Sequence, residues 1–316
     1  MVLSRLAGGA AIAGLLMVGL AAQEHPTFRT RGEGVRVDAL VTDGERPVLG
    51  LTANDFELID SGVKQEISVA SLADTPLDVL LVLDTSTSVG EQGLAHLVRA
   101  ADTLFSRLKP KDRAGLVAFS QDVLMRAALT PQHRRVRTML GTLKVHGMTA
   151  IMDATYAAMQ LADTDRPTLM LVFSDGIDTA SWLRRADVLD AARRSGVVPY
   201  AVVTGEGIAA FIPRPDRGTV NQRMVDERGQ PLDDSVVGFL GQLVRNGGGV
   251  VLNAEQTRDL EQRFGEALDS FRQRYVLTYS PVGVERTGWH PLTVRVKSRG
   301  GYRVRARSGY FVRESP

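Results

Sequence analysis

The middle of the chain alternates two kinds of hydrophobic pattern. Asp78–Leu83, Thr168–Phe173 and Val197–Val203 carry short apolar runs without polar alternation. That is the pattern of strands buried on both faces of a parallel sheet. Between and beyond them the apolar positions fall three and four apart, the spacing of amphipathic helices. Leu94, Leu97, Val98, Ala101, Leu104, Phe105 and Leu108 form one such series; Met152 to Leu161, Ala186 to Arg194, and Leu260 to Phe271 form others. Strand and helix alternate over about 200 residues. This predicts an α/β fold with a doubly wound, mostly parallel sheet flanked by helices.

The flanks have a different period. Val35, Val37, Ala39 and Val41 alternate with other residues before Asp43-Gly44, and Phe56, Leu58, Val63, Gln65, Ile67 and Val69 alternate around Asp60-Ser61-Gly62. Short antiparallel strands with tight turns follow from this. Tyr275–Tyr279, Leu292–Val296 and Tyr302–Ala306 read the same way, and Arg299-Gly300-Gly301 predicts a hairpin between the last two. Each flank alone is too small for a stable sheet. Residues 23–75 and 275–316 are therefore expected to pack together as one small β-sandwich-like domain. Residues 205–233, rich in Gly, Pro and charge, read as a long surface loop.

Residues 1–22 differ in kind. Arg5 is their only charge, and Leu6 to Ala22 is an uncharged run ending in small residues before polar sequence begins at Gln23. A basic start, an apolar core and a small-residue end describe a secretory signal peptide. A retained single-span anchor is the rival, though the run sits at the short limit for crossing a bilayer. Either places the remainder outside the cytoplasm, in the periplasm or extracellular space. Only the anchor would bring in a membrane.

Composition narrows the chemistry. The 316 residues contain no cysteine, which excludes disulfides, thiolate metal sites, cysteine nucleophiles and a lipid-modified N-terminal cysteine. The formal charge of +2 gives no case for nucleic acid, and the 33 arginines against 5 lysines are scattered rather than gathered into a stripe.

One constellation stands out. The first buried strand runs into Asp84-Thr85-Ser86-Thr87-Ser88, and the run Thr168–Phe173 leads into Ser174-Asp175-Gly176. Ligands of open α/β sheets bind at the C-terminal ends of the strands, so the two carboxylates share one sheet edge if these strands are neighbours. Thr149 stands just before the helical stretch at 151–161 and can close over that edge. Asp84, Ser86, Ser88, Thr149 and Asp175 offer only oxygen, which suits a hard divalent cation. Magnesium fits best, ahead of manganese or calcium, because it takes few carboxylates and keeps water. Zinc lacks its usual His and Cys ligands. Taken singly, Asp and Ser after a strand are ordinary turn and capping residues; the order and spacing of the whole set raise it above that reading.

In that order, Asp84-x-Ser86-x-Ser88, Thr149 and Asp175-Gly176 resemble the metal-ion-dependent adhesion site of von Willebrand factor type A (VWA) domains. The resemblance covers Pro76 to Arg274, with Met148 in place of a family glycine and Thr87 at another position where glycine is common. Gly50-Leu51-Thr52-Ala53-Asn54-Asp55-Phe56 before it and Arg307-Ser308-Gly309-Tyr310 after it resemble the exported, acidobacterial-type group of these proteins.

The resemblance implies metal-ligand roles for the five residues and a supporting role for Asp153, for which helix capping or a surface charge is the alternative. It also implies an open coordination position that a partner's Asp or Glu carboxylate can complete, giving chelator-sensitive, pH-insensitive adhesion near neutrality. A structural envelope protein whose metal only rigidifies loops is a second reading. A metal-dependent hydrolase is a third, disfavoured because no phosphate-cradling Gly-Lys-Ser/Thr loop or Gly-x-Ser-x-Gly elbow is present and Lys109, Lys111 and Lys144 fall outside the motifs. His146 reads as a surface loop residue, and no enzymatic activity is expected.

Overall fold

In the computed structural model, which describes residues 34–162, 166–175, 178–204, 236–297 and 301–312, fifteen strands and six helices follow one another. The strands are β1 (Val35–Asp43), β2 (Arg46–Pro47), β3 (Phe56–Asp60), β4 (Val63–Gln65), β5 (Ser68–Ser71), β6 (Asp78–Asp84), β7 (Arg113–Phe119), β8 (Val123–Thr130), β9 (Thr168–Ser174), β10 (Val197–Thr204), β11 (Val251–Ala254), β12 (Tyr275–Tyr279), β13 (Gly288–Val296), β14 (Arg303–Arg305) and β15 (Gly309–Val312). The helices are α1 (Gly90–Ser106), α2 (His133–Leu140), α3 (Ile151–Leu161), α4 (Arg185–Arg194), α5 (Val236–Gly247) and α6 (Leu260–Arg272). The N-terminal segment 1–22 and the loop 205–233 lie outside the described residues. Among the described residues no helix is long and apolar enough to cross a membrane.

The apolar runs become the middle of a six-stranded sheet ordered β11-β10-β9-β6-β7-β8. All its pairings are parallel except that of β8, which runs antiparallel to β7 along one edge. Strand side chains alternate between faces, and β6 shows why both faces must be apolar. Val79, Leu81 and Leu83 enter the core built with α1, α2 and α6, whereas Leu80 and Val82 enter the core built with α3, α4 and α5. The doubly wound arrangement read from the pattern is the one observed.

The period-two flanks form two further antiparallel sheets. One is ordered β14-β1-β12-β5, with β2 on β1; the other is ordered β15-β13-β3-β4. Each mixes strands from both ends of the chain. Their facing sides share one core, in which Val37, Val41, Phe56 and Leu58 meet Tyr275, Leu277, Leu292 and Tyr310. The turn at Asp60-Ser61-Gly62 has positive φ at Ser61 (48°) and Gly62 (85°), the conformation that suits a two-residue hairpin loop.

One expected pairing is corrected. β13 and β14 do not form a hairpin. β13 pairs with β3 along Leu292–Val296 on one side and with β15 along Gly288–Pro291 on the other. β14 instead pairs with β1 in the opposite sheet. β13 and β14 therefore belong to different sheets; residues 299–300 of the expected turn lie outside the described residues.

The two parts are joined through Arg274, which lies between α6 and β12 and is completely buried. Its Nη2 donates to the carbonyls of Asp38 (2.9 Å), Gly248 (2.8 Å) and Arg305 (3.0 Å). These bonds tie β1 and β14 to the turn that leads into β11.

Candidate metal centre

The register of β6 against β9 decides the site. Leu83 pairs with Phe173, which sets Asp84 beside Ser174 at the C-terminal edge of the sheet. Asp84 is fully buried. Its Oδ2 accepts a hydrogen bond from Ser174 Oγ at 2.6 Å and its Oδ1 one from the Ser86 N–H at 2.8 Å. Thr85 is held to β7 by two bonds to the Phe119 carbonyl, 2.7 Å from its N–H and 2.9 Å from its hydroxyl. The chain then makes a 3-10 turn at Thr87–Val89, and Gly90, at φ 68°, redirects it into α1.

These constraints align the hydroxyls. Ser86 Oγ and Ser88 Oγ are 3.0 Å apart, and Ser88 Oγ donates to Asp175 Oδ1 at 2.9 Å. Asp84, Ser86, Ser88 and Asp175 thus form a continuous run of oxygens. It is buried at the Asp84 end and exposed at Ser88.

The Thr149 loop is tied to the Ser86–Ser88 loop through Gly147 rather than through the Thr149 side chain. Gly147, at φ 69°, supplies a carbonyl to the Thr87 N–H (3.1 Å) and hydroxyl (3.0 Å). On the other side Thr149 N–H donates to Thr179 Oγ1 at 3.1 Å, and its carbonyl accepts the N–H groups of Thr179 and Ala180 at 2.8 and 3.0 Å. The left-handed conformation falls on Gly147, so Met148 at the next position needs no glycine. Thr149 itself is buried while Met148 is 54% exposed.

Asp153 acts on the neighbouring loop. Its carboxylate accepts the N–H groups of Trp182 and Leu183, both at 2.9 Å. In return Asp178 Oδ2 (3.2 Å) and Ser181 Oγ (3.1 Å) accept the Met152 N–H at the start of α3. Helix starts carry unsatisfied N–H groups; here the loop after β9 supplies the oxygens. That loop also grips Thr149. Ser174, Asp178, Thr179 and Ser181 were not singled out from the sequence, although the hydroxyl-rich Asp178-Thr179-Ala180-Ser181 carries a capping signature. His146 is exposed, with its Nε2 2.9 Å from Ser120 Oγ.

Electrostatics set the site apart. Burial, assisted by the negative charge of Asp175, pushes Asp84 up to about 6 against the pull of its hydrogen bonds from Ser174 and Ser86. Burial also raises Asp175, against the bond from Ser88. Two carboxylates that resist ionisation, with hydroxyl oxygens between them, fit a cation that neutralises both. The donor set is oxygen throughout, and among the described residues no group of three His, Cys, Asp or Glu side chains comes together as a rival site.

A pH dependence follows. The folded state binds the Asp84 proton more tightly than the unfolded chain does, since the ordinary value is 3.8. This group therefore favours folding below pH 3.8, and the advantage is lost as pH rises through about 6. Urea unfolding of metal-stripped protein between roughly pH 4 and pH 7, referenced to Asp84→Asn, is expected to show a loss of about 3 kcal/mol from this residue. A difference that stays flat with pH would contradict the burial argument.

Comparison with family models agrees with the fold. The family model of the von Willebrand factor type A domain matches residues 78–211, so a VWA domain is present. Similar solved structures include the conserved hypothetical protein BatB from Bacteroides thetaiotaomicron, at 18% identity, TM-score 0.46, covering 62% of this chain and 98% of that one. A von Willebrand factor type A protein from Catenulispora acidiphila is similar at 10% identity, TM-score 0.48, covering 91% and 76%. Proximal thread matrix protein 1 from the mussel byssus, in a structure whose metal-ion-dependent adhesion motif holds zinc, is similar at 14% identity, TM-score 0.43, covering 64% and 49%. A search of curated proteins gave no match.

Proposed function

We propose that this VWA-domain chain is an exported, non-enzymatic binding protein of the bacterial cell envelope. It holds a divalent cation, magnesium by its donor set, through Asp84, Ser86, Ser88, Thr149 and Asp175, and engages partner proteins through it. The observation that carries this reading is the run of hydroxyls and carboxylates at the sheet edge, closed at Asp84 and open at Ser88. When bound, the cation supplies an electrophilic centre to which a partner's Asp or Glu carboxylate can attach. The chain's own part is to fix the geometry: Ser174 and the Ser86 N–H orient Asp84, Gly147 positions the Ser86–Ser88 loop against the Thr149 loop, and Asp153 steadies the loop behind Thr149.

The surroundings suit a binding face. Met148 is exposed on one loop beside the site, and Trp182, 94% exposed, on another. Exposed apolar and aromatic side chains beside a polar centre are the usual make-up of an interaction patch.

The test is retention of envelope proteins on immobilised full-length protein in magnesium and in chelator, beside a calorimetric magnesium titration of the protein alone. Saturable magnesium binding, with retained proteins released by chelator, is the expected result. Retention that ignores the chelator sinks the adhesion reading, and a flat titration sinks the site.

A further inference from the structure

A cavity of about 380 Å³ adjoins the metal-binding edge, between the β7–β8 hairpin and the loop that leads to Thr149. Thr85, which stands between Asp84 and Ser86, forms part of its wall, and so do Lys144 and His146, a few residues before Thr149. One loop thus separates the cavity from the candidate cation site. The His146 N–H donates to the Thr85 carbonyl at 2.9 Å and fixes this wall.

The lining has two characters. Leu124, 43% exposed, and the buried Phe119 give an apolar floor. Arg126 and Lys144 put two cations on the rim, against one carboxylate, Asp122. The Arg126 guanidinium donates to the Thr142 hydroxyl and so is held along the wall. Among the described residues neither Arg126 nor Lys144 forms a salt bridge. Two cations against one carboxylate leave the lining net positive, which attracts an acidic ligand.

We propose that this groove is a specificity subsite for the partner residues next to the coordinated carboxylate, and that it takes an extended acidic peptide segment. An apolar side chain lies on Leu124 while a second Asp or Glu meets Lys144 and Arg126. The inference rests on the cation-binding reading and adds to it what distinguishes one acidic partner from another. An extended segment advances about 3.3 Å per residue, so an acid three residues on stands roughly 10 Å from the coordinated one. The match of charge supplies selectivity and faster encounter more than raw affinity.

The experiment uses fluorescein-labelled peptides with one Asp, then Gly-Leu, then either Glu or Gln, at up to millimolar concentration with the full chain in magnesium. The Glu peptide is expected to bind about tenfold tighter than the Gln peptide. Lys144→Glu, an exposed substitution, should erase that preference and leave the magnesium titration unchanged; Arg126→Glu should act in the same direction. Equal affinity of the wild-type chain for both peptides, or no binding of either, overturns the groove while the magnesium titration still judges the cation site by itself. A Glu preference that survives Lys144→Glu and Arg126→Glu also overturns it. A preference that persists in chelator and is lost in Lys144→Glu supports the groove and tells against the cation.

Discussion

Asp84→Asn is expected to abolish divalent-cation binding and, at the same time, to raise the stability of the metal-free protein at neutral pH by about 2–3 kcal/mol. The two effects have one cause. Asp84 is completely buried, and burial is the largest influence on its proton affinity. Near pH 7 the metal-free chain must hold an ionised carboxylate in a site that favours the neutral form. Asparagine keeps the shape and removes the charge. Its carbonyl can accept the Ser86 N–H and its amide can donate to Ser174 Oγ, so no buried polar atom is left alone. On the proposed reading the cation would lose its deepest anionic ligand. Calorimetric magnesium titration should turn flat while the melting temperature of stripped protein rises by several degrees. Retained binding in Asp84→Asn would remove this residue from the site; a fall in stability would show that its charge is paid for elsewhere. The wild type should also bind magnesium more weakly as pH falls below about 6, because proton and cation compete for the same carboxylate.

Much of this was legible in the sequence because burial on both faces leaves an unmistakable trace. β6, β9 and β10 are buried along their whole lengths, so their apolar runs are uninterrupted. The elements that escaped notice include α5, although it buries Phe239, Leu240, Leu243 and Val244, and several with weaker constraints. β8 is an edge strand with no fully buried residue. α2 buries only Val136 and Leu140, and β11 is four residues long. The site was legible for a related reason: Asp84, Ser86 and Ser88 are consecutive enough to form a motif. Their supports were not, because Ser174, Thr179 and Ser181 act on residues 29 to 90 positions away. The misplaced hairpin has the same origin, since local turn chemistry at residues 299–301 cannot report that β14 is recruited by β1, more than 260 residues away.

The largest loss of stability is expected from a residue that the sequence presents only as part of a turn. Asp60 ends β3 and is fully buried between the two outer sheets. Its Oδ1 accepts from Ser61 Oγ (3.0 Å) and His290 Nδ1 (3.1 Å), and its Oδ2 from Tyr279 (2.9 Å) and Tyr310 (2.7 Å). These partners, Ser61 apart, lie 219 to 250 residues away in sequence, on β12, β13 and β15. Tyr279 comes from the opposite sheet, so the carboxylate bonds one sheet to the other and the N-terminal flank to the C-terminal one. The His290 and Tyr310 rings stack at 4.7 Å. Burial alone would raise the Asp60 carboxyl, but the bonds from Tyr310, Tyr279, His290 and Ser61 outweigh it and hold the group below its ordinary range. Asp60→Ala strands two phenols and an imidazole in an apolar core and should cost about 3–5 kcal/mol. Asp60→Asn, which keeps an acceptor, should cost less. The sign with pH is opposite to that of Asp84. A depressed folded value stabilises above 3.8 and is lost as pH falls through the folded value, so the gap between wild type and Asp60→Asn should narrow in acid. Urea unfolding with hydrogen exchange across Val35–Val69 and Tyr275–Tyr279 measures both effects. A gap that is small at neutral pH, or that widens in acid, would mean that apolar packing rather than this carboxylate holds the two ends of the chain together.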